Sequence, residues 1–559
     1  VVRVTPMPAS PLGLTLSSDG ASLYVTCAAP TSTVCIVNTA TGKIAATIPT
    51  GHTAMAPVLS PDGRTLYVCN RFDDAVAIID LGRRREVARV KVAREPIAAA
   101  LTPDGRSLLV AHHLHHGRAD AEFVAASVSV IDTARARVAK EIQLPNGSGL
   151  LRDVAISPDG KFACVTHQLS RFQLPTTQLD RGWINTNAFS VIDIARGELL
   201  NTVLLDNVSR GAANPWAAAW SADGRTICVT HAGTHELSII DAGALLAKLL
   251  ALPSTAEAAA ALGDSGGGRS AADVPNDLTF LVGLRRRINV EGIGPRAVAF
   301  AGSKVYVANY FSDSLSVIDL AIPARAATAI PLGPKSEMSV VRTGEMLWND
   351  ASICFQGWQS CSSCHSSDAR VDGLNWDNLN DGIANPKNAK SLLFAHRTPP
   401  AMWTGVREDA PMAVRAGIKH ILFTVRPPED AVALDRYLES LQPIPSPRLV
   451  KGKLSAAAQR GQKLFASDAT ACARCHTGAL FTDLKLYDVG TAAVFDLPAE
   501  EFDTPTLVEL WRSAPYLHDG SAATVRDVLT TRNRWNRHGV TRQLNAPQLD
   551  DLAEYLLSL

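Results

Sequence analysis

Cysteine and histidine fall together twice in this chain, as Cys361-Ser-Ser-Cys364-His365 and Cys472-Ala-Arg-Cys475-His476. Cys-x-x-Cys-His is the attachment pattern of a c-type haem. Two thiols form thioethers with the porphyrin, and the adjoining imidazole binds the iron. For one such run, half a zinc site or a redox dithiol is the alternative. Zinc would need all four cysteines at one tetrahedral centre, which leaves His365 and His476 without a role. Two independent runs favour two covalently bound haems, with His365 and His476 as proximal ligands. The other six cysteines, including Cys27 and Cys35, read as packing residues of strands, with a Cys27–Cys35 bridge as an option.

The segments that must hold these runs repeat one another. "TGEMLWNDASICFQGWQSCSSCH" and "RGQKLFASDATACARCH" share Gly-x-x-Leu-aromatic before the cysteines. "RTPPAMWTGVRED" is answered by "DTPTLVELWRSAP", and each copy closes on an amphipathic helix, "PEDAVALDRYLESL" and "APQLDDLAEYLLSL". Each unit therefore reads helix, haem-binding loop, Thr-Pro turn, closing helix. Asn545 is the expected N-cap of the last one.

The first half carries a different repeat. "LSSDGASLYVTC", "LSPDGRTLYVCN", "LTPDGRSLLVAH", "ISPDGKFACVTH" and "WSADGRTICVTH" each precede a third strand such as "AVAIID" or "VSVID". A sixth unit, "PRAVAFAGSKVYVANYFSDSLSVIDLA", lacks the Pro-Asp-Gly. Period-two strands joined by Asp-Gly turns are hairpins, and four short strands per unit are propeller blades. Six blades are legible, and "VVRVTP" is expected as an outer strand that closes the ring. Residues 243–275 are an insertion with a helical piece and a Gly-Ser tract.

One position in that repeat collects polar rings. Seven residues after the Gly of each turn stand Cys27, Asn70, His112, His167 and His231, with Asn309 in the sixth unit. Equivalent positions lie at one mouth of the axial channel. His112, His167, His231 and His235, with His113, His115 and His116 of "HHLHH", are candidate ligands of a propeller metal such as copper. The alternative is strand-end polar residues bonded to loops. The long insertion 168–187, with Arg171, Arg181, Trp183 and Asn185, leaves the same strand end and is expected as a lid.

The first half resembles the YVTN-type propeller family, which usually has seven blades. The second resembles the di-haem cytochrome c peroxidase and MauG family in its two haem runs, "HRTPPAMW" and "DTPTLVELWRSAPYLHDGS". The resemblance implies a multidomain chain: a propeller over 1–335, then all-α tandem cytochrome c-like domains over 336–445 and 446–559. It also implies site roles. A displaceable distal His usually follows the first proximal His closely, but residues 366–395 hold none. The first haem is therefore expected to be open, with His396 as sixth ligand in the alternative. For the second haem, "VLTTRNRWNRHGV" offers His538, opposite His476; otherwise His538 is a surface residue. Trp403 falls where the family places an inter-haem Trp, and His518 is expected at a haem propionate. His420 is a candidate acid/base over the first haem, or a buried helical His. A calcium site near Ser513, Pro515 and Thr398 is a further implication.

Charge is balanced, 54 Lys and Arg against 54 Asp and Glu, so nothing favours nucleic acid. No apolar run reaches the length of a membrane span. The chain begins at Val1 rather than Met, which fits removal of a leader. Covalent haem attachment points to the bacterial periplasm or the cell exterior. The leading expectation is a periplasmic di-haem oxidoreductase reacting with peroxide or oxygen, fed by a small c-type cytochrome or cupredoxin. A non-enzymatic electron carrier or sensor is the second reading. A propeller copper centre served by the haems is the third.

Overall fold

The computed structural model describes the chain apart from residues 1–2, 173, 175–183, 254–269, 323–325, 335–336 and 379–384. Between Ser10 and Pro331, four consecutive strands at a time pair antiparallel into six four-stranded sheets. The turn chemistry explains the hairpins. Ser60 Oγ donates to Asp62 Oδ1 at 2.6 Å, and that oxygen also accepts from Arg64 N–H at 3.1 Å. Gly63 follows at φ +69°, a conformation that glycine adopts without strain. The same hydroxyl–carboxylate clasp recurs at Thr102–Asp104, Ser157–Asp159 and Ser221–Asp223, each at 2.6 Å.

The blades number six, not seven. Innermost strands Ser10–Leu16, Ala54–Leu59, Pro96–Leu101, Ser148–Ile156, Pro215–Trp220 and Pro295–Ala301 pack each on the next. The last and the first make no comparable contact, and Leu12, Leu14 and Leu16 are exposed. The N-terminal segment does not close the ring. Arg3 Nη1 donates to Ala40 O and Thr5 Oγ1 to Gly42 O, so it lies along a turn of the first blade. In the insertion, Ala242–Leu250 is helical with Asp241 as N-cap, whereas most of the Gly-Ser tract lies outside the described residues.

The C-terminal half is built on two helix pairs. Val340–Asn349 packs on Pro428–Ser440, and Ala456–Phe465 on Ala546–Leu556, which Asn545 caps as expected. Both pairs meet at a glycine. A Cβ on Gly344 would stand 1.9 Å from Ala433 O and 2.8 Å from Tyr437 Cβ. A Cβ on Gly461 would stand 1.9 Å from Asp551 O and 2.8 Å from Tyr555 Cβ. That identity of contact is the internal duplication in three dimensions. The half is not all-α: long irregular loops separate the helices, and each copy carries a two-stranded ladder, Asn375–Trp376 with Lys387–Asn388 and Leu486–Tyr487 with Phe502–Asp503.

The propeller mouth is seated on this half. Asn214 Nδ2 donates to Ser360 Oγ at 2.9 Å and to Asn349 O at 3.0 Å. Ala119 N–H donates to Gly520 O at 2.9 Å, and His52 Nε2 meets Pro445 O at 2.9 Å.

Candidate haem sites

The second Cys-x-x-Cys-His run forms a single short turn, Cys472–Arg474, followed by Cys475 and His476. His476 Nδ1 lies 3.0 Å from Phe481 O, which fixes its proton there and leaves Nε2 as the lone-pair nitrogen. Across from it stands His538, with ring centres 6.1 Å apart. Metal–imidazole bonds of about 2 Å on each side put two axial ring centres on one iron about 6 Å apart. The residues thus fit a six-coordinate haem iron. Burial, then the neighbouring His476, pushes His538 down to about 4, so it is a neutral donor.

The loop that brings His538 here is clamped by Asn533, a residue with no signal in the sequence reading. Its Oδ1 accepts from His538 N–H at 3.0 Å, and its Nδ2 donates to His538 O at 3.0 Å and Gly539 O at 2.9 Å. Gly539, at φ +72°, backs onto the haem-binding turn: a Cβ there would stand 3.6 Å from Cys472 Sγ. His538 is therefore not a surface residue of a free turn.

At the first run, Ser362–His365 is one helical turn. His365 Nδ1 meets Lys390 O at 3.0 Å, the same device as at His476. Burial pushes His365 down to about 4. Its expected alternative partner is engaged elsewhere, since His396 Nε2 lies 3.0 Å from Asp435 Oδ1. The walls of this site come from both halves. Cys361 packs on the cluster of Leu347, Ile353 and Leu438. Cys364 packs on Val124, Phe172 and Ile184 of the propeller together with Leu374 and Trp376. Asn185 Nδ2 donates to Gln359 Oε1 at 3.0 Å and lies 3.6 Å from Cys364 Sγ. The insertion expected as a lid is thus, in its described part, a pair of lengthened strands that touch the haem-attachment turn. Arg181 and Trp183 lie outside the described residues.

A buried carboxyl also stands here. Asp372 accepts from Trp376 Nε1 at 2.7 Å and Leu374 N at 2.9 Å. Burial raises it to about 7, and its charge helps to hold the Cys364 thiol protonated. His420, the expected acid/base, is instead exposed on the last turn of helix Ala410–His420.

Trp403 links the two loops. Its Nε1 donates to Asn388 O at 2.7 Å, and its carbonyl accepts from Asp503 N at 2.8 Å. Lys390, whose carbonyl holds His365, places its ammonium 4.8 Å over the Trp403 ring and 2.5 Å from Asp503 Oδ2. His518 is buried with Nε2 2.7 Å from Asp496 Oδ2, and its ring stacks on Phe502 at 3.8 Å. Its Nδ1 is buried and, among the described residues, has no hydrogen-bond partner. Near Ser513 and Pro515, where the calcium was expected, the carbonyls of Arg512 and Ala514 accept from the Arg94 guanidinium of the propeller at 3.0 and 2.8 Å. Thr398 Oγ1 donates to Phe394 O at 3.2 Å.

The propeller histidines do not gather into a copper site. His112, His167 and His231 each place Nε2 on a serine of the next strand, Ser129 at 2.6 Å, Ser190 at 2.8 Å and Ser238 at 2.7 Å. Asn309 does the same to Ser316 at 2.8 Å. His235 bonds Asp350 at 3.2 Å, and His113 bonds Leu151 O at 3.0 Å. His115 lies against Gly373, where a Cβ would stand 2.6 Å from its Cε1, while His116 is exposed. Among the described residues, no three His, Cys, Asp or Glu side chains come together as a metal cage. Cys27 and Cys35 are free thiols with sulfurs 3.7 Å apart.

Residues 18–118 match the family described as Cytochrome D1 heme domain. The hydrazine synthase subunit gamma of Kuenenia stuttgartiensis is 32% identical over 278 residues, covering 40% of this chain and 78% of that protein. The subunit beta of the same organism is 32% identical over 198 residues, covering 35% of this chain and 47% of its own length. The methylamine utilization protein MauG of Methylophilus methylotrophus is 25% identical over 281 residues, 40% of this chain and 82% of MauG. A solved chain of Kuenenia stuttgartiensis hydrazine synthase aligns at 25% identity with a TM-score of 0.40, covering 57% of this chain and 97% of that one. The extent of the match to hydrazine synthase subunit gamma, with MauG beside it, makes this chain a member of the MauG-like, di-haem cytochrome c peroxidase-type family, here joined to a β-propeller.

Proposed function

We propose that this chain is a haem-dependent oxidoreductase of the bacterial periplasm, with two tandem cytochrome c-like domains over 336–445 and 446–559 on a propeller over 1–335. Covalent haem c on Cys361 and Cys364, and on Cys472 and Cys475, would supply one-electron chemistry and, at the first site, activation of peroxide or oxygen. One observation carries the reading. Both proximal imidazoles are aimed by a backbone carbonyl at 3.0 Å, but only His476 faces a second imidazole. The second site is thereby suited to passing electrons and the first to binding a small oxidant.

The chain's own residues supply the rest. Lys390 and Phe481 hold the Nδ1 protons of His365 and His476 through their carbonyls. Asp372, tuned to about 7 by burial, holds or accepts a proton beside the first site. Trp403 offers a π-system between the ladder strands Lys387–Asn388 and Phe502–Asp503. Asn185, Phe172 and Ile184 of the propeller wall the first site against water. No helix among the described residues is long and apolar enough to cross a membrane. A small c-type cytochrome or cupredoxin fits as electron donor.

An absorption and EPR spectrum of the purified holoprotein tests this. We expect one low-spin and one high-spin ferric haem, with the high-spin signal changing on addition of peroxide. Two low-spin haems indifferent to peroxide would instead favour a pure electron carrier.

A further inference from the structure

The inner rim of the propeller holds two guanidinium groups with no carboxylate of their own. Arg152 and Trp216 stand eight residues before the turn glycine, and Arg296, in the shorter turn of the sixth unit, six before Gly302; Trp216 and Arg296 each follow the proline that pairs with the ring position, Pro215 with His231 and Pro295 with Asn309, on the innermost strands of successive blades. In the first three blades this position is Leu12, Met55 and Ile97. The first three blades are therefore apolar at this position, with Ile97 and Met55 packed into the hydrophobic clusters, and the next three carry two guanidinium groups with an indole between them in blade order. Arg152 lies 4.1 Å and Arg296 4.3 Å from the Trp216 ring centre, so their separation is at most about twice that distance.

Every carboxylate nearby is already engaged. Glu95 pairs with Arg71 at 2.7 Å, Glu345 with Arg342 at 2.8 Å and Glu509 with Arg370 at 2.7 Å, while Asp368 pairs with Arg512. Among the described residues, Arg152 hydrogen-bonds only the Ser367 hydroxyl, at 3.4 Å. Arg296 Nε and Nη2 are buried and, among the described residues, have no hydrogen-bond partner. Stacking on Trp216, Tyr310 and Phe311 offsets part of the cost of desolvating these cations but satisfies none of their N–H groups. Each group also raises the other's energy: burial, and after it the repulsion from Arg296, brings Arg152 down to about 9.

We propose that Arg152 and Arg296 form a binding site for a small planar oxyanion at the mouth of the propeller. A guanidinium fork matches two oxygens in one plane, and one oxyanion with N–H···O contacts of about 2.9 Å on either side spans the pair. Two sources carry that chemistry. One is a free anion of nitrate or formate type in the axial channel. The other is a propionate carboxylate of the haem on His365, two residues from Ser367. The second source rests on the haem reading above; the first does not.

The holoprotein, in buffer free of chloride and phosphate, is titrated with nitrate by calorimetry, beside Arg152→Met, Arg296→Met and the charge-keeping Arg296→Lys. Each variant is checked for haem content and circular dichroism. A free-anion site gives saturable one-to-one binding, weakened at least tenfold in both Met variants and less in the Lys variant. A propionate site gives no nitrate binding, but the haem propionate bending band in the resonance Raman spectrum shifts in both Met variants. The proposal is overturned if folded variants change neither reading, or if a crystal structure of the holoprotein shows only water between the two guanidinium groups. Loss of haem from all proteins, wild type included, would instead count against the haem reading and leave the nitrate arm to decide.

Discussion

The imidazoles of His476 and His538 face each other with ring centres 6.1 Å apart and planes inclined by 37°. Among the described residues no other two imidazoles face each other at this spacing, and Asn533 holds the far partner by three bonds to its own loop. Replacing His538 by Ala should leave the mass of covalent haem unchanged and convert the low-spin ferric signal to high-spin. Asn533→Ala should weaken the same signal without removing it, because His538 stays on the loop but loses its clamp. An unaltered low-spin spectrum in His538→Ala would show that another residue binds the iron.

The twin glycines make a second test. At Gly344 and Gly461 a Cβ would be driven to 1.9 Å from a carbonyl oxygen of the partner helix. Backbone cannot yield as a flexible side chain does, so Gly→Ala at either place should destabilise its own helix pair by about 2–3 kcal/mol or more. Urea unfolding of each variant, followed at the haem it encloses, measures this. Equal losses at the two sites are expected from the matched geometry; a loss at one alone would mean that the two copies bear load differently.

Much of this was readable before any coordinates. Repeated Asp-Gly turns and period-two strands specify blades locally, because each hairpin needs only its own residues. The paired glycines and closing helices were visible as a duplication for the same reason. What the sequence hid depends on encounters between distant segments. Asp372 lies only seven residues from His365, yet its character comes from burial under a wall shared with the propeller. Asn185 touches Cys364 across nearly two hundred residues of chain. The histidines at the channel mouth misled because a ring position shows which residues are level with one another. It does not show that each imidazole bonds a serine of its own blade. Likewise the segment around Ser513 gives no sign that Arg94 meets its carbonyls from another part of the fold.

Asp372 and Trp376 give a third prediction. A carboxyl near pH 7 beside the first site, bonded to a buried indole, suits proton transfer during peroxide binding. The peroxide reaction rate should rise with pH through about 7, as the carboxylate forms. Asp372→Asn, which keeps the shape and one of the two acceptor bonds, should lower the rate by about a hundredfold and flatten that rise. Stopped-flow profiles of both proteins check it. A profile that keeps its limb in the variant assigns the proton to another group.

Trp403 should matter to transfer between sites rather than to either site alone. Its indole bonds the strand next to Lys390, and its carbonyl bonds the strand that follows the second haem loop. Trp403→Phe keeps an aromatic ring but loses the indole and its N–H. Both haem spectra should be unchanged while electrons given to the second haem reach the first more slowly. Pulse reduction followed at two wavelengths separates these. Equal transfer rates with intact spectra would confine Trp403 to packing.

Acid should loosen the propeller through its buried imidazoles. Burial pushes His112 and His115 down to about 3 and His167 to about 4, and holds His113 and His231 well below their usual value. An unfolded chain protonates these near 6.5, so as pH falls below that it takes up protons the folded state refuses. Stability from these five groups is present above about 6.5 and is lost as pH falls toward 4. Three carboxyls of the propeller act oppositely: burial raises Asp153 to about 7, Asp206 to about 6 and Asp74 above its usual value, so they favour the folded state at low pH. Each group contributes at most about 1.4 kcal/mol per pH unit, so five against three leaves a net fall in stability on acidification. His167→Asn isolates one of them, because Asn309 already makes the equivalent bond to serine in the sixth blade. The difference in unfolding free energy between pH 7.5 and pH 5 should shrink by about 2 kcal/mol in this variant. Parallel pH curves for the two proteins would mean that His167 keeps its proton on folding and that acid acts elsewhere.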